Sequence, residues 1–305
     1  MDSVSTAPLP ASAGPTCSDA WAGLSAWGTA TQASFWIALE QPGPWGAKAF
    51  TQSRLDPTLG GEVERRTLEA GGRALLIRAP GNKARPAGRR RVFVAGNLAG
   101  TPWLRTGEVD DPAEILDLPF EVLDRPDPVD ADWLRPSDPV LLVCTNAKRD
   151  RCCALKGLPL AEQLAAEGLP VWECSHTGGH RFAPTGVVLP TGQLIGRLTA
   201  DLGRQALEAA ARDELAIGTL NEEHDRGLSH LPPRESAAVS WVRSHTFITP
   251  VVGLATQDTG DAVVVTHLDG RQWRLDVTQE TGPDLIDSCA KPPKPSQTWT
   301  VRPAT

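Results

Sequence analysis

Short apolar runs separated by glycine- and proline-rich loops set the pattern of this chain. SFWIALE at 34–40 reads as a strand, followed by the loop Gln41-Pro42-Gly43-Pro44-Trp45-Gly46. Asp56-Pro57 supplies an N-cap and a first-turn proline for a helix through 70, which Gly71-Gly72 ends. RALLIR (73–78) and RVFVA (91–95) read as further strands, separated by a polar Gly/Pro loop. Acidic, proline-rich sequence at 124–139 has the character of an interdomain connection.

The second half begins with the continuous apolar run 140–144, a pattern expected of a strand buried on both faces. A loop carrying cysteines follows, then a helix near 160–167 closed by Gly168, a strand at 170–174, and a His-Gly-Gly-His loop. A hairpin is expected at 186–198 around Pro190-Thr191-Gly192, then helices over 199–215, with Thr199 as N-cap, and 233–245. From 249 onward the pattern alternates, with a hairpin turning at Leu268-Asp269-Gly270. The order strand, loop, helix, strand, hairpin-like pair occurs at 34–95 and again at 140–198. That order matches a thioredoxin-like α/β unit, and it suggests that the first half is a metal-free copy of the second. The implied division is a flexible lead-in (1–22), an N-terminal α/β half (23–130), a thioredoxin-like domain that carries the Cys/His segment (131–246) and a C-terminal β appendage (247–305).

Composition narrows the classes of function. The 305 residues are 40% hydrophobic and 22% charged, as in ordinary globular proteins, and the net charge is −7. That balance argues against nucleic acid or an anionic membrane as partner. No apolar run is long enough to span a bilayer, and the first residues lack both the basic and the apolar parts of a secretory signal. A soluble, cytoplasmic protein is expected, in which thiols stay reduced and clustered cysteines bind metal rather than form disulfides.

The chemistry concentrates between Cys144 and Ala183, which hold four of the six cysteines and two of the six histidines. A Cys-based phosphatase needs an arginine six residues after its cysteine, where Asp150 stands here. A dithiol oxidoreductase needs Cys-x-x-Cys, whereas Cys152 and Cys153 are adjacent and Cys144 is distant. A zincin needs a helical His-Glu-x-x-His, and Thr177-Gly178-Gly179 provides neither a helix nor a carboxylate. The spacings are also too wide for a small zinc finger, although irregularly spaced structural zinc stays open. An iron–sulfur cluster with two Cys and two His ligands suits the parts best, since a binuclear group accepts ligands from two separated loops. On this reading the glycines make room beside a bulky group. No GxGxxG suggests a nicotinamide or flavin site, and no spaced carboxylate pair suggests glycoside hydrolysis.

VCTNAKRDRCCALKG and SHTGGHRFAPTGVVLPTGQLIGRL resemble the sucrase/ferredoxin-like family of thioredoxin-like ferredoxins. ALEQPGPWG and the later SCAKPP…TWTV look like its bacterial members, so the resemblance runs from about 34 to 301. It implies a [2Fe–2S] cluster held by Cys144, Cys153, His176 and His180, serving in one-electron transfer with a redox partner protein as donor or acceptor. Fungal members have Arg-Asp-x-Arg-Cys-Gly where this chain has Arg149-Asp150-Arg151-Cys152-Cys153-Ala154, so Cys152 is an alternative to Cys153. A structural zinc module, or a reductase of a small substrate that uses the cluster and an external electron donor, are the rival functions.

Cys174 reads as a small core residue, and Cys17 and Cys289 as structural residues remote from the site. His224, His230, His245 and His267 are isolated. Arg181 is placed to bond a cluster sulfide or a partner's carboxylate; Lys148, Arg149 and Arg151 make the cysteine loop basic, and Asp150 pairs with them or caps the next turn.

Overall fold

The computed structural model of the protein describes residues 16–82 and 88–304. The first half contains α1 (Cys17–Ala20), β1 (Trp36–Glu40), α2 (Pro57–Glu69), β2 (Arg73–Arg78), β3 (Arg90–Gly96), β4 (Trp103–Val109) and β5 (Arg135–Pro136). The second contains β6 (Val140–Cys144), α3 (Leu158–Ala166), β7 (Val171–Cys174), β8 (Gly186–Leu189), β9 (Gln193–Ile195), α4 (Ala200–Ala210) and β10 (Asp225–Leu228). Then come α5 (Pro233–Thr246), β11 (Leu254–Asp258), β12 (Val263–His267), β13 (Gln272–Leu285) and β14 (Lys294–Pro303).

The first ten strands form one sheet in the order β10-β9-β8-β6-β7-β2-β1-β3-β4-β5, and the last four form a second, β11-β12-β13-β14. The fold is therefore α/β with a β appendage. Both halves of the large sheet share one plan. A first strand lies between its parallel second and its antiparallel third, and the fourth pairs with the third. The halves join through their second strands, where Ile77 of β2 faces Cys174 of β7 across an antiparallel pair. Glu40 pairs with Ile77, and Cys144 with Cys174, so Glu40 and Cys144 occupy equivalent places.

Burial on both faces explains the apolar runs. Ile37 and Leu39 enter a core beneath α2, while Leu141 and Val143 enter another with α3 and α4. On the opposite face Trp36 and Ala38 share a single core with Val140, Leu142 and Cys144, continuous across the junction. α2 starts as expected: the Asp56 carboxylate accepts the N–H groups of Thr58 and Leu59, and Pro57, with no N–H, needs no acceptor. α5 lies on the small sheet, packing Ala238, Val239 and Val242 against Val263, Leu275 and Val301.

Several expectations need correction. Residues 16–22 of the expected flexible lead-in are ordered: Thr16 and Asp19 form a capping box, and Trp21 meets Phe182 edge-on at 5.7 Å. The rest of that lead-in lies outside the described residues, as do residues 83–87 of the loop between β2 and β3. The second cysteine segment is no simple loop, because Cys153–Gly157 forms a π-helical turn leading directly into α3. β13 is far longer than its alternating start suggested, and with β14 it forms an arm whose tip returns to the large sheet. No helix among the described residues is long and apolar enough to cross a membrane.

Candidate metal centre

β6 and β7 are parallel neighbours, so the segments leaving their carboxyl ends emerge at the same edge of the sheet, where α/β folds place their ligands. The segment after β6 carries Cys153 and the segment after β7 carries His176 and His180. Cys144 Sγ lies 3.8 Å from His176 Nδ1 and 3.7 Å from the Ser175 carbonyl. The ligand atoms of Cys144, Cys153 and His176 all fall within 4.8 Å of one another. Hydrogen bonding from Cys153 holds Cys144 well below the ordinary thiol range, and the same contact pushes Cys153 well above it. A thiol whose pKa is held low in this way is disposed to lose its proton to a cation.

His180 lies beside this group rather than within it. Its ring stacks on His176 with centroids 5.6 Å apart, and among the described residues neither of its buried ring nitrogens has a hydrogen-bond partner. Nε2 is 3.7 Å from Asp150 Oδ2. Burial lowers the imidazole pKa and outweighs the opposing pull of Asp150, which favours the neutral, metal-binding form.

The glycines between the histidines have a different reason from the one expected. Gly178 and Gly179 adopt φ of 75° and 68°, and a Cβ at Gly179 would stand 2.4 Å from the Arg226 guanidinium carbon. A Cβ at Gly178 would meet the Thr31 hydroxyl at 2.5 Å, whereas the room at Gly179 is taken by Arg226. This buried residue of β10 donates to the Gly178 carbonyl at 3.0 Å and to Thr29 Oγ1 at 3.2 Å. Burial and the nearby Arg181 lower its pKa to about 9, so it stays cationic at neutral pH behind the thiol pair. Nothing in its sequence context, Asp-Arg-Gly-Leu, marks it out.

The adjacent cysteines face different neighbours. Cys153 joins Cys144 and His176, whereas Cys152 Sγ lies 3.3 Å from Cys17 Sγ and 3.3 Å from Cys289 Sγ. Cys17 and Cys289 are thus not remote. Between the two groups sits the buried Asp150 carboxylate, which accepts from the N–H groups of Cys152 at 2.9 Å and Cys289 at 2.8 Å and from Ser288 Oγ at 3.0 Å. Burial would push this carboxyl up, but the N–H groups hold it at about 2.

A family model described as sucrase/ferredoxin-like matches residues 26–228. The chain belongs to the sucrase/ferredoxin-like family. No curated protein and no solved structure is matched by the chain. Cys144, Cys153, His176 and His180 all lie inside the family span, whereas Cys17 and Cys289 lie outside it.

The remaining residues are accounted for locally. Cys174 is buried in the shared core as the cross-strand neighbour of Cys144, but its sulfur belongs to neither group. His224 meets the Gly196 carbonyl, His245 stacks on Trp241 and His267 pairs with Asp269. Burial lowers the pKa of His230 to about 4. Arg181 neither waits for a partner's carboxylate nor lies free: it pairs with Asp287 on the arm at 3.0 Å and covers Trp21 at 4.7 Å. Arg149, with Lys48, Arg65, Arg73 and Glu64, lines a cavity of about 590 Å³ that reaches His176. The Thr16-to-Asp19 capping pattern was a readable sign that the segment around Cys17 is ordered; no such sign marked Arg226.

Proposed function

We propose that this family member is a one-electron-transfer protein whose [2Fe–2S] cluster is held by Cys144, Cys153, His176 and His180. The observation that supports this most is the state of His180. Two buried ring nitrogens with no hydrogen-bond partner among the described residues are costly, and coordination would reduce that cost. Asp150, 3.7 Å from Nε2, stands where carboxylates commonly hold the outer nitrogen of metal-bound histidines, which would leave Nδ1 for the metal. Once bound, such a cluster would supply one-electron chemistry at a potential raised by exchanging two thiolates for imidazoles.

The chain's own residues prepare the site. The shared core keeps water from Cys144 and Cys153, and Arg226 offsets their negative charge from behind. His176 is the one of the four that borders the cavity, so the accessible end of the site belongs to it. The basic side chains on that cavity wall suit a redox partner that presents carboxylates.

A second reading is structural zinc, favoured by the compactness of Cys144, Cys153 and His176, which is the spacing of a single ion. Anaerobic purification with iron, zinc and acid-labile sulfide assays separates the two. About two irons and two sulfides per chain, with an EPR signal of the two-histidine type on reduction, support the cluster. Zinc without sulfide at these four residues overturns it.

A further inference from the structure

Three cysteines outside the proposed cluster converge from segments far apart in the chain. Cys152 lies 135 residues from Cys17 and 137 from Cys289, yet each of those sulfurs is 3.3 Å from its own. The three sulfurs and a carboxylate oxygen of Asp150 all lie within 4.8 Å of one another. We propose that Cys17, Cys152 and Cys289, with Asp150, form a second metal site for a single thiophilic divalent cation of the zinc class.

The spacing supports one ion. Zinc–sulfur bonds of about 2.3 Å in a tetrahedron place thiolates about 3.8 Å apart, whereas a disulfide needs about 2 Å. Contacts of 3.3 Å lie nearer the first. The surroundings are those of a built site. Cys17 and Cys152 are fully buried, and the Asp150 side chain has no exposed surface. The Arg151 guanidinium stands beside Cys289, placing a cation next to the three sulfurs. Each ligand is also locally fixed: Cys17 starts α1 behind its capping box, Cys152 precedes the π turn, and Cys289 is held by its own N–H to Asp150. A metal there would tie the N-terminal turn and the arm of the small sheet to the segment that presents Cys153. The site needs nothing from the first, since a chain without iron at Cys144 would still carry it.

The test uses the full chain, purified anaerobically and loaded with Zn²⁺, with Co²⁺ as a spectroscopic substitute. The expected result is about one zinc per chain that persists in Cys144→Ser and falls to near zero in Cys289→Ser, while the absorbance of the first site survives the latter change. Cobalt should show thiolate charge-transfer bands and tetrahedral d–d bands in Cys144→Ser. If Cys289→Ser does not fold, thiol labelling of the unaltered protein decides: Zn²⁺ should protect Cys17, Cys152 and Cys289 together. Free labelling of all three with Zn²⁺ present, a disulfide among them by mass, or iron and sulfide beyond the content of the first site would each overturn the proposal.

Discussion

The two halves of the large sheet share one plan and differ in what stands at the same place. At the carboxyl end of β1 is Glu40, whose carboxylate accepts the Arg91 N–H at 2.9 Å; at the equivalent end of β6 is Cys144. After β1 the loop folds Trp45 and Phe50 into the core, while after β6 it turns Cys152 and Cys153 toward two groups of ligands. Such a frame supplies strand ends and a dry interior, and chemistry depends on the few side chains set there.

The largest test of this contrast exchanges the two end residues for inert ones. Cys144→Ala should reduce iron content by about tenfold or more, whereas Glu40→Gln should leave it unchanged. Equal iron in the two variants, by metal analysis, would remove Cys144 from the site.

Next come the cores. Ile37→Ala and Leu141→Ala, at equivalent fully buried places, should each cost about 2–5 kcal/mol. Because the core on the opposite face runs across both halves, urea unfolding should stay a single transition in each case. Two resolved transitions would show that the halves are energetically separate.

A smaller difference separates two glycines, one after each second strand. Gly81 has φ of 72° with nothing near its missing Cβ, so Gly81→Ala should cost about 1 kcal/mol. Gly179→Ala must also displace Arg226 and should cost about 2–3 kcal/mol. Denaturation midpoints of the pair compare them directly. Equal costs would mean that Arg226 yields freely.

The smallest effect concerns the helices. α2 has a side-chain cap and α3 has none, its entry being the π turn. Asp56→Ala should therefore lose about 1 kcal/mol without changing iron content, measured by thermal or urea melts.

Much of the frame was legible in the chain. Asp56-Pro57, the run 140–144 and Thr199 marked their elements because caps, prolines and doubly buried strands leave local signatures. β4 and β10 were not read, since Arg105 and Glu108 in the one and Arg226 in the other break the apolar pattern that tertiary contacts restore. For the site, Cys144 and His176 could be grouped by the short stretch that contains them. The partnership of Cys152 with Cys17 and Cys289 spans more than a hundred residues on either side, and no local pattern encodes a contact of that length. The choice between adjacent cysteines turned on which way a π turn faces each side chain, a property of the fold.

The arm that carries Cys289 also sets an order in time. Chains fold from the amino end as they are synthesised, and domains form as their sequence emerges. Cys144, Cys153, His176 and His180 are all available to an assembly factor well before Cys289, which lies 137 residues beyond Cys152. Until it arrives, Asp150 has no Ser288 hydroxyl and no Cys289 N–H to hold, and Arg181 has no Asp287. The nascent chain thus passes through an interval in which the four residues of the proposed centre are present and the arm is not yet over them. The arm then closes last, over the segment that follows β6.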